Sequence, residues 1–382
     1  MAPPPGLISN PQIGLPSIEE LPPSMPQAPI PPFSCRYSPQ LPELLQALEA
    51  TVALSTYQAG KLVLFSAKDK NSLIQLPRSF RKAMGVAEDL ATDRLAIACQ
   101  DQILVFRNSA ELAEHYPKSP GKYDALYMPR AAYFTGPLDI HDVHFGSDGE
   151  LYAVNTLFSC IMRVDDRSSF TPVWKPPFID AVLGEDRCHL NGLAMEGGRP
   201  RYASAFNQGN TRQSWREDIA NTGVIMDVDA NEVIAQGLAM PHSPQLIQGE
   251  LYVLTSADGQ LVHIDRSTGA SRPVVDFGGF VRGMSQYGDY LFVGLSKLRE
   301  KSKTFGAIAK KLPNNRSGVM VVHLPTMSKV GLIEYQSSVE EIYDVHILVG
   351  KQRPNILGPD DKMHRDGVTT PDSTFWRKPS PQ

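Results

Sequence analysis

The sequence predicts an all-β fold, a six-bladed β-propeller closed by pairing of N- and C-terminal strands. Three observations carry this reading. One phrase, Asp139–Asn155, reads as strand, tight turn, strand: an apolar run ends at Phe145, Asp148-Gly149 centres the turn, and Leu151 to Val154 form a second apolar run. The phrase recurs. His189-Leu-Asn-Gly-Leu-Ala-Met precedes Glu-Gly-Gly and Tyr202-Ala-Ser-Ala, His242-Ser-Pro-Gln-Leu-Ile precedes Gln-Gly-Glu and Leu251-Tyr-Val-Leu, and Phe280-Val-Arg-Gly-Met-Ser precedes Tyr290-Leu-Phe-Val. The spacing of roughly 40–55 residues lies in or near the range of repeat architectures. Third, Ile342-Tyr-Asp-Val-His-Ile matches Ile140-His-Asp-Val-His-Phe, so the chain end offers the inner strand that the first blade lacks. Closing the ring this way removes two exposed sheet edges.

The elements follow in order. Residues 1–40 hold twelve of the 32 prolines and show no periodicity, which predicts a disordered, polyproline-like arm. Pro42 to Ala50 reads as a short helix with proline near its first turn. Thr51–Thr56, the Ala59-Gly60 turn and Lys61–Ser66 form a hairpin, Ser72–Leu76 a third strand, and Glu341–Val349 completes blade one. Blade two runs from Met84 through Leu95–Cys99 and Ile103–Phe106. Blades three to six start near Asp139, Cys188, Met240 and Phe280, the last ending at Gly318–Leu324. Residues 108–138 read as a helix at Ala110–His115 and then loop, although a degenerate seventh blade would also fit. The propeller is expected over 41–355, with a loose polar tail over 356–382.

Composition narrows the function classes. A ring of blades overrides the two or three domains that 382 residues would ordinarily allow. Net charge −4 and pI near 6.2 argue against a general nucleic-acid binder. No apolar run reaches the length of a membrane span, and Met1-Ala-Pro-Pro-Pro-Gly lacks a basic or apolar leader region. Cys35, Cys99, Cys160 and Cys188 show no paired spacing and read as reduced thiols, so a cytoplasmic location is expected.

Propeller geometry places a site where the inner strands begin and the second strands end. His141, His189 and His242 stand at the start of three successive blades, with Lys82, Phe280 and Tyr343 at the matching points of the others. If these positions converge on the axis, three imidazoles hold a divalent transition metal (Fe, Mn, Zn or Cu) and leave a coordination position open. The bland alternative gives each imidazole a backbone carbonyl. Asp139, Asp142 and Asn191 are near enough to orient such ligands. Second strands end at Asn155-Thr156, Asn207-Gln208, Ser256 and Ser296-Lys297. Two long insertions, 206–222 and 296–317, reach the same face and carry Arg212, Trp215, Arg216 and a lysine-rich run from Lys297 to Arg316. Arg282 is the cation best placed for an anionic group, because it begins an inner strand. Tyr123, Tyr127, Arg130 and Tyr133 offer either a pocket wall or loop structure. No Walker A loop, G-x-S-x-G elbow, H-E-x-x-H or Rossmann fingerprint is present.

The phrases Ser55-Thr-Tyr-Gln-Ala-Gly-Lys-Leu, His189-Leu-Asn-Gly-Leu-Ala, Met240-Pro-His-Ser-Pro-Gln and Phe280-Val-Arg-Gly-Met-Ser resemble a bacterial family known only as a conserved hypothetical protein. The resemblance covers roughly residues 35–355, implies a propeller-like fold, and carries over no catalytic residues. More distantly the chain is similar to six-bladed propellers of the gluconolactonase and strictosidine-synthase group, whose axial metals take mainly acidic and amide ligands.

Two functions are expected on this reading. The first is a metal-dependent enzyme (lyase, hydrolase or oxygenase) acting on a small anionic or polar substrate at the channel mouth. His141, His189 and His242 would hold the metal, Arg282, Asp142 and Tyr343 would do chemistry, and Asn155, Asn191, Asn207, Arg212, Trp215 and Lys297 would bind substrate. The second is a non-catalytic propeller that binds a glycan, peptide or protein. The Pro-rich arm is a further place for a partner. Neither nucleic acid nor membrane is expected as one.

Overall fold

The structure, a computed structural model, describes residues 30–298, 301–302 and 304–377. The expected arm lies outside the described residues as far as position 29, as do Arg299 and Lys303 of the basic loop.

Six sheets form the blades of the ring. Blade one joins the chain ends: Asp344–Val349 is innermost and pairs antiparallel with Ala50–Thr56, followed by Lys61–Asp69 and Ser72–Ser79. Blades three, four and five are plain four-stranded meanders beginning at Ile140, Leu190 and Pro241. Their first turns follow the sequence. In blade four Glu196 pairs with Arg199 across Gly197 and Gly198, whose φ values of +59° and +76° fit the two-residue turn that matches strand twist.

Two blades gain a fifth strand, and both gains depart from expectation. Cys35–Tyr37, inside the span read as arm, pairs antiparallel with the outer strand Ser328–Tyr335 of blade six. In blade two, Ala125–Phe134 is the outer strand although 117–127 reads as loop, and Pro354–Ile356 pairs parallel to it. Tyr127 is therefore buried, its hydroxyl donating to Glu88; it and Tyr133 lie in the blade's outer strand, and Tyr123 packs against Tyr116 just before that strand. The segment expected to be loose docks on the same blade. Trp376 packs against Tyr116 and its indole N–H donates to the Leu112 carbonyl.

Apolar faces of neighbouring blades close on each other. Phe65, Val63, Phe292, Val321 and Ile347 fill the seam between blades six and one. The helix Leu41–Ala47 caps that seam with Leu41, Leu44 and Leu45 buried. Proline at its first turn costs nothing there, since the first-turn N–H groups have no intrahelical acceptor. All four cysteines are free. Among the described residues no helix is long and apolar enough to cross a membrane.

Candidate functional site

The inner strands meet around the axis at a fixed level. A Cβ added to Gly85 would lie 2.9 Å from Asp142 Cα, one on Gly192 2.9 Å from the Ser243 nitrogen, and one on Gly283 2.6 Å from Asp344 Cα. Glycine thus alternates with a polar residue around the ring, and each polar residue ties its own strand to the next blade. Asp142 accepts from Leu193 N–H, Ser243 from Gly283 N–H and Asp344 from Val86 N–H. These contacts make Gly85, Asp142, Gly192, Ser243, Gly283 and Asp344 structurally equivalent.

The register of every other axial residue follows. One step toward the mouth stand Met84, His141, Asn191, His242, Arg282 and Tyr343. Two steps further stand Lys82, Asp139, His189, Met240, Phe280 and Glu341. Left-handed φ values of +50° to +54° recur at Lys82, Asp139, His189 and Met240, which supports this alignment. The three histidines therefore do not share one repeat position. His141 and His242 are equivalent, and His189 sits one level nearer the mouth. The sequence phrases align on the letter His, whereas the chain enters blade four two residues out of step.

Each imidazole has an Nδ1 partner. His141 Nδ1 lies 3.0 Å from the Asp139 carbonyl and His242 Nδ1 3.0 Å from the Met240 carbonyl, the same contact two residues back. Ser256 Oγ, 2.7 Å from His242 Nδ1, donates onward to the Val281 carbonyl. His189 Nδ1 instead faces the Asp186 carboxylate. The Phe206 ring lies against both His189 and His242, at centroid distances of 4.5 and 5.1 Å. Among the described residues no three His, Cys, Asp or Glu side chains are grouped to hold a metal ion. The donor set does not fit the expected three-histidine centre.

Two cavities lie along the axis and share His242 and Arg282. The mouth cavity, about 320 Å³, has an apolar wall of Phe206, Met240, Phe280, Leu298 and Phe305. His189, Gln58, Lys297 and Glu341 complete it. The deeper cavity, about 330 Å³, is lined by His141, Asn191, Tyr343 and the Asp142 and Asp344 carboxylates.

Arg282 holds the neck between them. Its guanidinium lies 3.5 Å from the Tyr343 ring centroid and 3.7 Å from a Glu341 carboxylate oxygen. The latter distance is an ion pair but not a hydrogen bond. Arg282 is largely buried, lines both cavities, and makes no hydrogen bond to another described residue. The Tyr343 hydroxyl and Asn191 Nδ2 are also buried without a partner.

Electrostatics separate the groups. Burial, reinforced by Arg282, pushes His242 well below the usual imidazole range, and burial drives His141 down to about 3 against the pull of Asp139. Both are neutral at pH 7. Burial resists ionisation of Asp139, yet His141, His189, Arg282 and Lys82 together lower its carboxyl below the ordinary value. Burial pushes the Tyr343 phenol well above its usual range. Burial and then Asp142 push Asp344 up to about 7.

Other expected residues take structural places. Asp142 spends its carboxylate on the Val143 and Leu193 N–H groups and on His144, 3.1 Å away. Asn155 is fully buried and accepts from Phe158 N–H within its turn. Asn207 donates to Ser214 Oγ outside both axial cavities, and Arg212 is exposed beyond them. Trp215 is buried and donates to Asp186. Lys297 lines the mouth. Asp186 carries no repeat signal; its three-residue spacing to His189 was the available cue.

The family model described as a domain of unknown function (DUF4915) matches residues 39–357, most of the chain. The chain belongs to the DUF4915 family. No curated protein matches it. Among solved structures it is similar to a chain of a nidogen/laminin complex, with 11% identity and TM-score 0.51, over 79% of this chain and 99% of that one. A protein of unknown function from Bacteroides caccae matches at 8% identity and TM-score 0.44, over 78% and 98% of the two chains. The first likeness speaks for the propeller fold of this DUF4915 chain and for nothing finer.

Proposed function

We propose that the protein binds a small organic anion in the axial funnel, with Arg282 as its counter-ion. The observation that carries this reading is a buried guanidinium whose N–H donors meet no hydrogen-bond acceptor among the described residues. A largely buried cation whose donors face a cavity is matched by a ligand carboxylate, which offers two oxygens in the bidentate geometry. The unpartnered Tyr343 hydroxyl and Asn191 amide add donors in the same channel. The aromatic wall of the mouth cavity suits an apolar body attached to that anion. A metal has no part in this reading, because the three histidines stand at two levels with Phe206 against two of them.

Thermal-shift and calorimetric titration with a panel of small carboxylates tests it. Carboxylates with an apolar body should stabilise the protein and bind more tightly than acetate or sulfate. Arg282→Gln should weaken them about 10-fold or more, the worth of hydrogen bonds to a charged group. Equal affinity in wild type and Arg282→Gln would sink the proposal.

A further inference from the structure

Anion binding leaves one feature of the funnel unused. His189 Nδ1 lies 3.0 and 3.1 Å from the two Asp186 oxygens. Asp186 is itself buried and accepts a second bond, 2.9 Å, from the Trp215 indole N–H. The Nδ1–H donates to the carboxylate and the indole fixes the carboxylate, so Nε2 keeps the lone pair on a ring that lines the mouth cavity. Trp215, Phe206 and His141 hold the ring plane at centroid distances of 4.3, 4.5 and 4.7 Å. His141 and His242 lack this support. Their Nδ1 atoms face backbone carbonyls, and the Asp139 carboxylate stands 3.9 Å from His141, outside hydrogen-bond range. Of the three imidazoles, His189 is the one hydrogen-bonded to a carboxylate.

We propose that the protein abstracts a proton from the carbon beside the ketone of a small 2-oxo carboxylate with an apolar side chain, His189 acting as the base. This rests on the anion-binding reading above. Arg282 takes the carboxylate. The Tyr343 hydroxyl and Asn191 amide, both without partners, are donors for the ketone oxygen. Phe206, Met240, Phe280 and Phe305 face the side chain. Nε2 takes the proton, the C–H electron pair moves into the carbonyl, and the negative charge comes to rest on the enolate oxygen. Return of a proton to carbon closes the cycle without oxidant or further reactant. Hydrolysis fits less well. The mouth wall is apolar, and the axial hydroxyls of Ser256 and Ser296 already donate to the Val281 and Ile342 carbonyls.

The test follows 4-methyl-2-oxopentanoate by proton NMR in D2O with the full chain. The protons beside the ketone should exchange faster than in buffer, with saturation in the oxo acid. His189→Gln should lower the enzyme-dependent rate about 100-fold or more, while thermal shift shows the compound still binding. Asp186→Asn tests positioning. The titratable and charged groups around His189 are Asp186, Asp139, His141, His242 and Arg282, and loss of the Asp186 charge should move the inflection of the pH–rate profile to lower pH. If His189→Gln does not fold, that inflection decides. Exchange at the buffer rate with the compound bound overturns the base and leaves the anion site standing. Binding of other carboxylates but not this one overturns the substrate class. If no carboxylate binds, both readings fall together.

Discussion

Asp344 makes the stability of the ring depend on pH. Its carboxyl is pushed up to about 7 by burial and then by Asp142 across the channel. In an unfolded chain the same group ionises near 3.9. A shift of about three units corresponds to roughly 4 kcal/mol at about 1.36 kcal/mol per unit. The folded value is raised, so this stability is fully present below about pH 4 and is lost as pH rises through about 7. Two features reduce the penalty. The ionised carboxylate keeps its bonds from Val86 and Val345 N–H, and the side chain lines a cavity that water can screen. A net effect of about 2–4 kcal/mol is expected. Asp344→Asn removes the ionisation and keeps one acceptor oxygen. Denaturant midpoints for both proteins at pH 5 and pH 8 measure the gap. His144, raised by Asp142 against burial, loses stability in the same direction, whereas His141 and His242 lose theirs as pH falls. All three are present in both proteins; His141 and His242 cancel in the comparison, and His144, which Asp344 also raises, cancels in part. The gap in favour of the variant should widen by about 2 kcal/mol between pH 5 and pH 8. A gap that stays constant between those values would falsify the argument.

Four further outcomes are expected. Gly283→Ala should cost about 3 kcal/mol or more, because the residue has φ +72° and its new Cβ would sit 2.6 Å from Asp344 Cα. Gly249→Ala, also left-handed but with nothing within 4 Å, should cost about 1 kcal/mol in the same denaturation assay. A chain beginning at Ser38 loses the fifth strand of blade six and should melt several degrees lower, while carboxylate affinity at the funnel stays unchanged. Trp376→Ala should loosen the docked C-terminal segment by about 3 kcal/mol, read as faster proteolysis after residue 357 with an intact propeller fragment.

The ring was legible because hairpins announce themselves locally. Asp148-Gly149, Gly197-Gly198, Gln248-Gly249 and Gly288-Asp289 each stand between apolar runs; the last three are two-residue turns that fix the pairing around them, and the first centres a five-residue loop between Phe145 and Leu151. The match of Ile342-Tyr-Asp-Val-His to Ile140-His-Asp-Val-His identified the composite blade, and that match is physical. Asp142 and Asp344 do the same work, each reaching the backbone of the following blade. The histidine register was not legible, because identical letters two residues apart on a strand share parity. Only the approach of Gly192 to Ser243 places His189 outside the level of His141 and His242. Ala125–Phe134 was missed for another reason. Its second half alternates half-buried and exposed, but Pro129 interrupts the pattern and its ladder shifts register opposite that point. Asp186 was missed because a dyad is a property of a loop's curvature, which no repeat encodes.

The axial levels divide packing from chemistry. At the level of Gly85, Asp142, Gly192, Ser243, Gly283 and Asp344, six strands crowd the axis, and every second residue must be glycine. The residues between them are limited to side chains that reach the next backbone. Threefold order at this level is therefore a packing requirement. One residue toward the mouth the funnel widens, and the repeat dissolves into Met84, His141, Asn191, His242, Arg282 and Tyr343. A structural role for that level would favour apolar residues or mutually satisfied polar ones. Instead it holds a guanidinium without hydrogen bonds, a phenol and an amide without partners, and two imidazoles held neutral. Groups that the fold leaves unsatisfied at its one permissive level are best accounted for by something that enters from outside.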